Sequence, residues 1–417
     1  MKNWYVVPLL LFWGVIVAVF NPFTLAIHVD EWRFIRTSEL FAKSWIPSVE
    51  TLRTYPELNT PLIFILWGWG VKIFGPHLWV GRIFNITLGF LISVGFVKCQ
   101  TNSQTPVVQT LLGVLLFPYF IFCSIYMYTD IFAVFLLLIS VLFYSRQKHI
   151  WAGVFFSLAV FTRQYLIIFA AALVVYQLLL SYSSQSGLKS WANQLWQDRN
   201  FYWPYLLPAF TILGWILFLG GMAPKSEIAA QNYESNVLTN YNLVNMLYGM
   251  ASMGAFCVVL EGVLFPKQIK NLLKITPLSI AAMLLFTVLF VLFAPLKQPV
   301  VAAYNTQFTI KNMGALHFAM QAITPFFGKW APTIEQTAYW FLGLLCCLRF
   351  FRYVDMLTLF ALFHFVLLTK TFWAWDKYNL PLVLLFWLAV RSQEVFPGKL
   401  EMKGFYGKLT TPLFSRL

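Results

Sequence analysis

Charge is what this sequence has least of. Only 11% of its residues are charged and 60% are hydrophobic, whereas soluble chains carry about a quarter charged residues. The stretches between apolar runs, the longest near 22–77, 182–202, 222–242 and 295–335, are too short to hold a core of their own. A soluble enzyme and a separate globular domain are both excluded. Internal repeats are missing, which counts against transporter folds built from repeated halves. The cysteines Cys99, Cys123, Cys257, Cys346 and Cys347 have neither metal-ligand nor redox spacing, so neither zinc nor disulfides are expected. His28, His77, His149, His317 and His364 share no helical spacing, and no metal or other cofactor is expected. Gly220-Gly221 reads as a helix end, not as a phosphate loop.

What is present is a succession of apolar runs near the length a bilayer demands, about twelve of them. They cover 4–21, 78–97, 107–124, 131–145, 151–162, 165–181, 203–221, 243–265, 277–294, 336–348, 354–369 and 379–391. The fold class is therefore an all-α polytopic membrane protein with one transmembrane domain over 1–417. Residues 22–77 form the first extracytoplasmic loop, with helices lying in the interface, and 392–417 form a basic cytoplasmic tail. The first run is too long and aromatic for a signal-peptide core, and no small-residue cleavage site follows it, so it reads as a retained anchor. Segment 62–74 is short and stopped by Gly75-Pro76, which predicts an interfacial helix. The stretch 151–181 is too long for one crossing, and Arg163-Gln164 divides it. The net charge of +14 fits loops facing an anionic cytoplasmic leaflet better than nucleic acid. The clusters Lys267/Lys270/Lys274 and Lys399/Lys403/Lys408 fall on the side of the N-terminus.

The scarce polar residues gather on the opposite face. Asp30, Glu31, Asp130, Arg163, Lys225, Glu227, Lys370, Asp376 and Lys377 each border an apolar run there. The adjacent acids Asp30-Glu31 leave the first span with Trp32 and Phe34 beside them. A carboxylate partly desolvated by lipid and aromatics has its pKa raised toward that of a useful base. The alternative is that the pair caps a helix over 31–43. Asp130 reads either as a cap or as a member of the same polar face. Arg163 reads either as a phosphate-binding fork or as the structural partner of an acid such as Asp130. Trp373-Ala374-Trp375-Asp376-Lys377-Tyr378 reads either as an aromatic belt or as rings that stack on sugars and polyprenyl chains.

At these residues the chain resembles a known family. Its pieces are Asp30-Glu31, Thr60-Pro61, Arg82-Ile83-Phe84-Asn85, Phe117-Pro118, Tyr126-Met127-Tyr128-Thr129-Asp130, Phe161-Thr162-Arg163-Gln164, Gly220-Gly221 and Lys377-Tyr378-Asn379-Leu380-Pro381. They resemble, in order, the motifs of GT-C glycosyltransferases that use polyprenyl-phosphate sugars. Within that superfamily the chain is most similar to the dolichyl-phosphate-glucose α-1,2-glucosyltransferases of N-glycan precursor assembly. It departs from them at Arg33-Phe34, at Asn59-Thr60-Pro61-Leu62, and where Asp130 stands for a glutamate.

The resemblance implies a GT-C fold and inverting transfer of a sugar, glucose first, from a polyprenyl- or dolichyl-phosphate donor to a hydroxyl of a lipid-linked saccharide. Asp30 would be the base and Glu31 its support. Arg163, Lys370 and Lys377 would bind the donor phosphate. Asp130, Gln164, Tyr128, Arg82, Trp375 and Asp376 would support the site or hold the acceptor. The partners implied are the lipid donor, the lipid-linked acceptor and membrane lipids, without nucleic acid or nucleotide sugar. The location implied is the endoplasmic reticulum membrane of a eukaryote or the inner membrane of a bacterium, with the site on the non-cytoplasmic face. A GT-C enzyme with another sugar or acceptor is the near alternative, and a polytopic transporter or flippase the distant one.

Overall fold

The computed structural model describes residues 6–28, 30–99, 107–184, 188–197, 199–221, 223–224, 241–269, 274–293, 314–371 and 375–392. Lys225, Glu227, Lys270, Trp373 and the tail beyond residue 392 lie outside them. Among the described residues there is no β-strand. The first half runs α1 (Val6–Phe20), α2 (Glu31–Ala42), α3 (Val49–Thr54), α4 (Leu62–Phe74), α5 (Leu78–Lys98), α6 (Val107–Leu115), α7 (Pro118–Ile125), α8 (Thr129–Ser145), α9 (His149–Val160) and α10 (Ile167–Ser184). The second continues α11 (Leu188–Gln197), α12 (Arg199–Tyr202), α13 (Leu207–Leu219), α14 (Leu243–Met253), α15 (Leu260–Leu264), α16 (Pro277–Leu292), α17 (Ala315–Ile323), α18 (Ala331–Phe350), α19 (Met356–Leu368) and α20 (Leu380–Arg391).

Each apolar run is helical, with bounds moved by a few residues. Three helices, Leu78–Lys98, Gln164–Tyr182 and Leu243–Leu264, are long and apolar enough to cross a bilayer alone. The outward faces of α13 and α16 stay apolar as well, at Leu217, Leu284 and Val291, where a soluble protein would place charge. The chain is an integral membrane protein. The expected dozen crossings rest partly on shorter helices. The 12 residues of α9 rise about 18 Å, well under the roughly 30 Å of a hydrocarbon core.

One expected span, 107–124, is not a continuous helix: it is two helices, α6 and α7, bent by 69°. The cause is Pro118 at the first position of α7. Its ring has no N–H to extend α6 and holds Phe117 in extended conformation. The expected division of 151–181 falls where Arg163-Gln164 placed it. α9 stops at Val160, and Arg163 is extended before a short 3-10 turn opens α10.

The centre of the molecule is α8 against α20. Ile131, Val134, Leu137 and Val141 of the one, and Leu382 to Trp387 of the other, are wholly buried. Helices apolar on all sides are core helices. Segment 62–74 is a single helix, α4, which lays Ile63, Phe64, Trp67 and Val71 against α2. Gly68 allows that approach, since a Cβ there would stand 2.7 Å from Phe41 Cβ and 3.0 Å from the Ser38 carbonyl oxygen. Overpacking of this kind costs about 1–3 kcal/mol. Gly68→Ala is therefore expected to lower the melting temperature in detergent, while alanine at Gly14, which faces open space, leaves it unchanged.

Candidate active site

Four helix breaks meet around the start of α2. They are the turn 126–128 between α7 and α8, the break 161–163, the loop 55–61 before α4, and the 3-10 turn Asp376–Asn379 before α20. Each break frees backbone groups, and a neighbouring break supplies partners for them. Asn85 of α5 donates through its amide to the carbonyls of Cys123, Tyr126 and Tyr128 at 3.2, 2.8 and 2.9 Å. Loop 55–61 and the first residue of α4 are stitched to the α9–α10 break. Thr60 Oγ1 donates to the Val160 carbonyl at 3.0 Å, Gln164 Nε2 to the Leu58 carbonyl at 2.5 Å, and the Leu62 amide to the Phe161 carbonyl at 3.2 Å.

The adjacent acids divide completely. Glu31 is buried, with Arg82 Nε at 2.8 Å from one oxygen and Arg82 Nη2 at 2.6 Å from the other. The Met127 and His28 amides also donate to it, at 2.8 and 2.9 Å. Arg82 directs its remaining donors to the carbonyls of Pro22, Leu25 and Ala26. Asp30, one residue earlier, keeps 29% of its side chain exposed, with Arg33 Nη2 at 3.7 Å. It stands at the N-cap position of α2 but makes no side-chain capping bond, so capping does not occupy it. Arg33 is drawn away by Glu57 at 2.8 Å.

Asp130 and Arg163 form the second locked pair. Arg163 Nη2 lies 2.6 Å from both Asp130 oxygens, and Nη1 donates to Asn59 Oδ1 at 2.6 Å. The structural alternative weighed for Arg163 is thus realised; only its buried Nε has no partner. Lys377 differs. Its ammonium is nearly buried and 3.9 Å from Asp130 Oδ2. It lies over the rings of Trp375 at 3.9 Å, Tyr128 at 4.4 Å and Tyr378 at 6.0 Å. Among the described residues no acceptor stands within hydrogen-bonding reach of it. Burial pushes the Lys377 ammonium below the usual lysine value, with Arg163 adding to that push and Asp130 opposing it.

Tyr128 joins the open acid to the open cation. Its ring carries Lys377 on a face, its hydroxyl stands 2.7 Å from His28 Nδ1, and burial together with the Asp30 charge pushes that hydroxyl's pKa up. His28, set aside among the scattered histidines, is the residue that the sequence reading missed. Its only signal was proximity to the acid pair. Asn59 and Asn85 were missed too, for each acts only through distant backbone or an arginine.

The remaining expected site residues also meet partners outside this cluster. Lys370 stands over Tyr241, with Nζ 3.5 Å from the ring centroid. Trp375 packs edge-on against Tyr119. Asp376 turns away from Lys377. It accepts from the Leu316 amide at 2.8 Å and leaves no room for a Cβ at Gly314.

Removing one partner of a buried ion pair costs about 3–5 kcal/mol because the other charge stays behind. Glu31→Gln should therefore lower the melting temperature in detergent strongly, and the double variant Glu31→Gln/Arg82→Met should recover part of it. Asp376 supplies a pH test. Burial pushes its carboxyl from the ordinary 3.8 up to about 6, against the Leu316 amide. A raised acid stabilises fully below its unfolded value, and that contribution is lost as pH rises through about 6. Asp376→Asn should thus gain melting temperature relative to the parent as pH rises from about 4 to about 7, and the gap should then hold level. A gap independent of pH would contradict this.

No protein-family profile matches the chain, and no curated protein matches it either. Among solved structures, ArnT from Cupriavidus metallidurans bound to undecaprenyl phosphate is similar, with a TM-score of 0.46 and 14% identity. The likeness covers 84% of this chain and 77% of that one. A likeness of that size assigns neither a fold family nor an activity to this chain.

Proposed function

We propose that the chain is a GT-C type glycosyltransferase that moves a sugar from a polyprenyl-phosphate donor to a hydroxyl of a lipid-linked acceptor. One observation supports this most. Once the locked pairs Glu31–Arg82 and Asp130–Arg163 are set aside, the groups next to the Tyr128 ring that keep binding capacity, among the described residues, are the acid Asp30 and the cation Lys377.

Glycosyl transfer from a lipid phosphate needs those two groups. Asp30 takes the proton of the acceptor hydroxyl as its oxygen attacks the anomeric carbon from the face opposite the phosphate. The carbon–oxygen bond to phosphate breaks, and the phosphate leaves with the bonding pair and the lipid. Its charge falls to Lys377, whose ammonium donors are unspent. No general acid is required, because a phosphate is a good leaving group. Arg163 holds Asp130 in place next to Lys377 and reaches a phosphate only by giving up part of that pairing. Trp375 and Tyr378 offer ring faces to a sugar or an isoprenoid chain.

The finer reading follows the sequence resemblance: glucose on dolichyl phosphate, an N-glycan precursor as acceptor, and a site on the non-cytoplasmic face. Membranes holding the full chain are given radiolabelled polyprenyl-phosphate glucose or mannose. Asp30→Asn should reduce transfer by about 10²-fold or more. Lys377→Met should also abolish transfer, whereas Lys377→Arg should keep a fraction of it. Undiminished transfer by Asp30→Asn would overturn the assignment.

A further inference from the structure

We propose that His28 is a positioning residue for Asp30 that also carries its proton onward through the Tyr128 hydroxyl. This rests on the transferase reading above and adds a residue to that site.

The imidazole is held by the most constrained group nearby. The His28 amide donates to Glu31 Oε2 at 2.9 Å, and Glu31 is fixed by Arg82. The ring is edge-on to Phe122 at 4.9 Å and tilted against Tyr126 and Tyr128 at 5.2 and 5.7 Å. Among those rings Nδ1 meets the Tyr128 hydroxyl at 2.7 Å. The same hydroxyl feels the Asp30 charge, which with burial pushes its pKa up, so a nitrogen base and a carboxylate both border one O–H group. A histidine that served only as filler would need no such link.

A base that has taken a proton must lose it before the next turnover. In the relay, Asp30 returns the acceptor's proton to the Tyr128 oxygen while the phenolic proton moves to His28 Nδ1. Carboxylate and phenol are restored, and the imidazolium releases one proton to water. No oxidant, reductant or co-reactant is needed. The charged and titratable groups around His28 are Asp30 and Glu31 at the start of α2, Lys377 of the 3-10 turn, and the phenols Tyr126 and Tyr128. Burial pushes the imidazole below 6.5. Lys377 adds to this, and the two acids oppose it. The ring is therefore neutral at physiological pH, and turnover should fall as acid protonates it.

The test uses the full chain in membranes with the labelled polyprenyl-phosphate sugar that the parent turns over. In His28→Asn the amide oxygen can take the place of Nδ1 as acceptor, so the bond from the Tyr128 hydroxyl is kept while uptake of its proton is lost. Its kcat should fall about tenfold with the donor KM unchanged, and the decline of rate below about pH 6.5 should flatten. Tyr128→Phe cuts the link without touching His28 and should flatten the same limb. Parental kcat in His28→Asn, or a reduced kcat whose acid limb keeps its parental shape, would overturn the relay. Asp30→Asn separates the two readings. If it is inactive while His28→Asn behaves as parent, only the relay falls; if it is active, the transferase reading falls and the relay with it.

Discussion

The buried carboxylate of Glu31 fixes the positions of everything around it. A charge inside a membrane protein is untenable without partners, and this one has a bidentate arginine and two backbone amides. Through Arg82 it also gathers three carbonyls of the loop after α1. The exit of the first helix, the start of α2, the first turn of α5 and the turn before α8 thus meet at one ion pair. Asp30, His28 and Tyr128 all lie within two residues of atoms that this pair fixes. Their geometry is inherited from it.

Charge pairing then separates scaffold from chemistry. Glu31 with Arg82 and Asp130 with Arg163 are each neutral as pairs, and of the two arginines only Arg163 keeps a buried nitrogen, Nε, without a partner. Arg33 is shared between Glu57 and Asp30, at 2.8 and 3.7 Å, so its hold on Asp30 is the weaker. Lys377 touches rings and stands 3.9 Å from an acid already engaged by an arginine. An ammonium over aromatic faces is stabilised without being neutralised. It keeps its capacity for an incoming anion. The arginine fork, the stronger phosphate binder on chemical grounds alone, is the group that this structure spends on holding an acid in place.

The helices were legible in the sequence because membrane helices advertise themselves by length and apolarity. The break at Arg163-Gln164 was legible because its two flanks together exceed a bilayer. The bend at Phe117-Pro118 was carried by a proline inside an apolar run, a signal that the continuity of the run concealed. Which acid of Asp30-Glu31 is open was beyond the sequence. Successive helical positions diverge by about 100°, so one neighbour faces the core and the other does not, and only the docking of α5 decides which. Asp376 and Lys377 part in the same way. Arg82 and His28 act through residues 51 and 100 positions away, and nothing local marks such partners.

The convergence of breaks has an electrostatic consequence. Inside a bilayer, irregular backbone survives only where protein or a polar cavity satisfies it, and here Asn85, Thr60 and Gln164 do so across neighbouring breaks. The helices that leave these breaks, α2, α8 and α20, all begin there. Asp30 stands at the N-cap of the first, Asp130 in the first turn of the second, and Lys377 in the 3-10 turn before the third. Helix N-termini carry partial positive charge and unspent amides. Three of them near one ammonium favour an anion more than Lys377 alone would, and they do so without side chains that would compete with Asp30 for its proton. In the proposed reaction, the same backbone that interrupts the helices would supply the field for a departing phosphate.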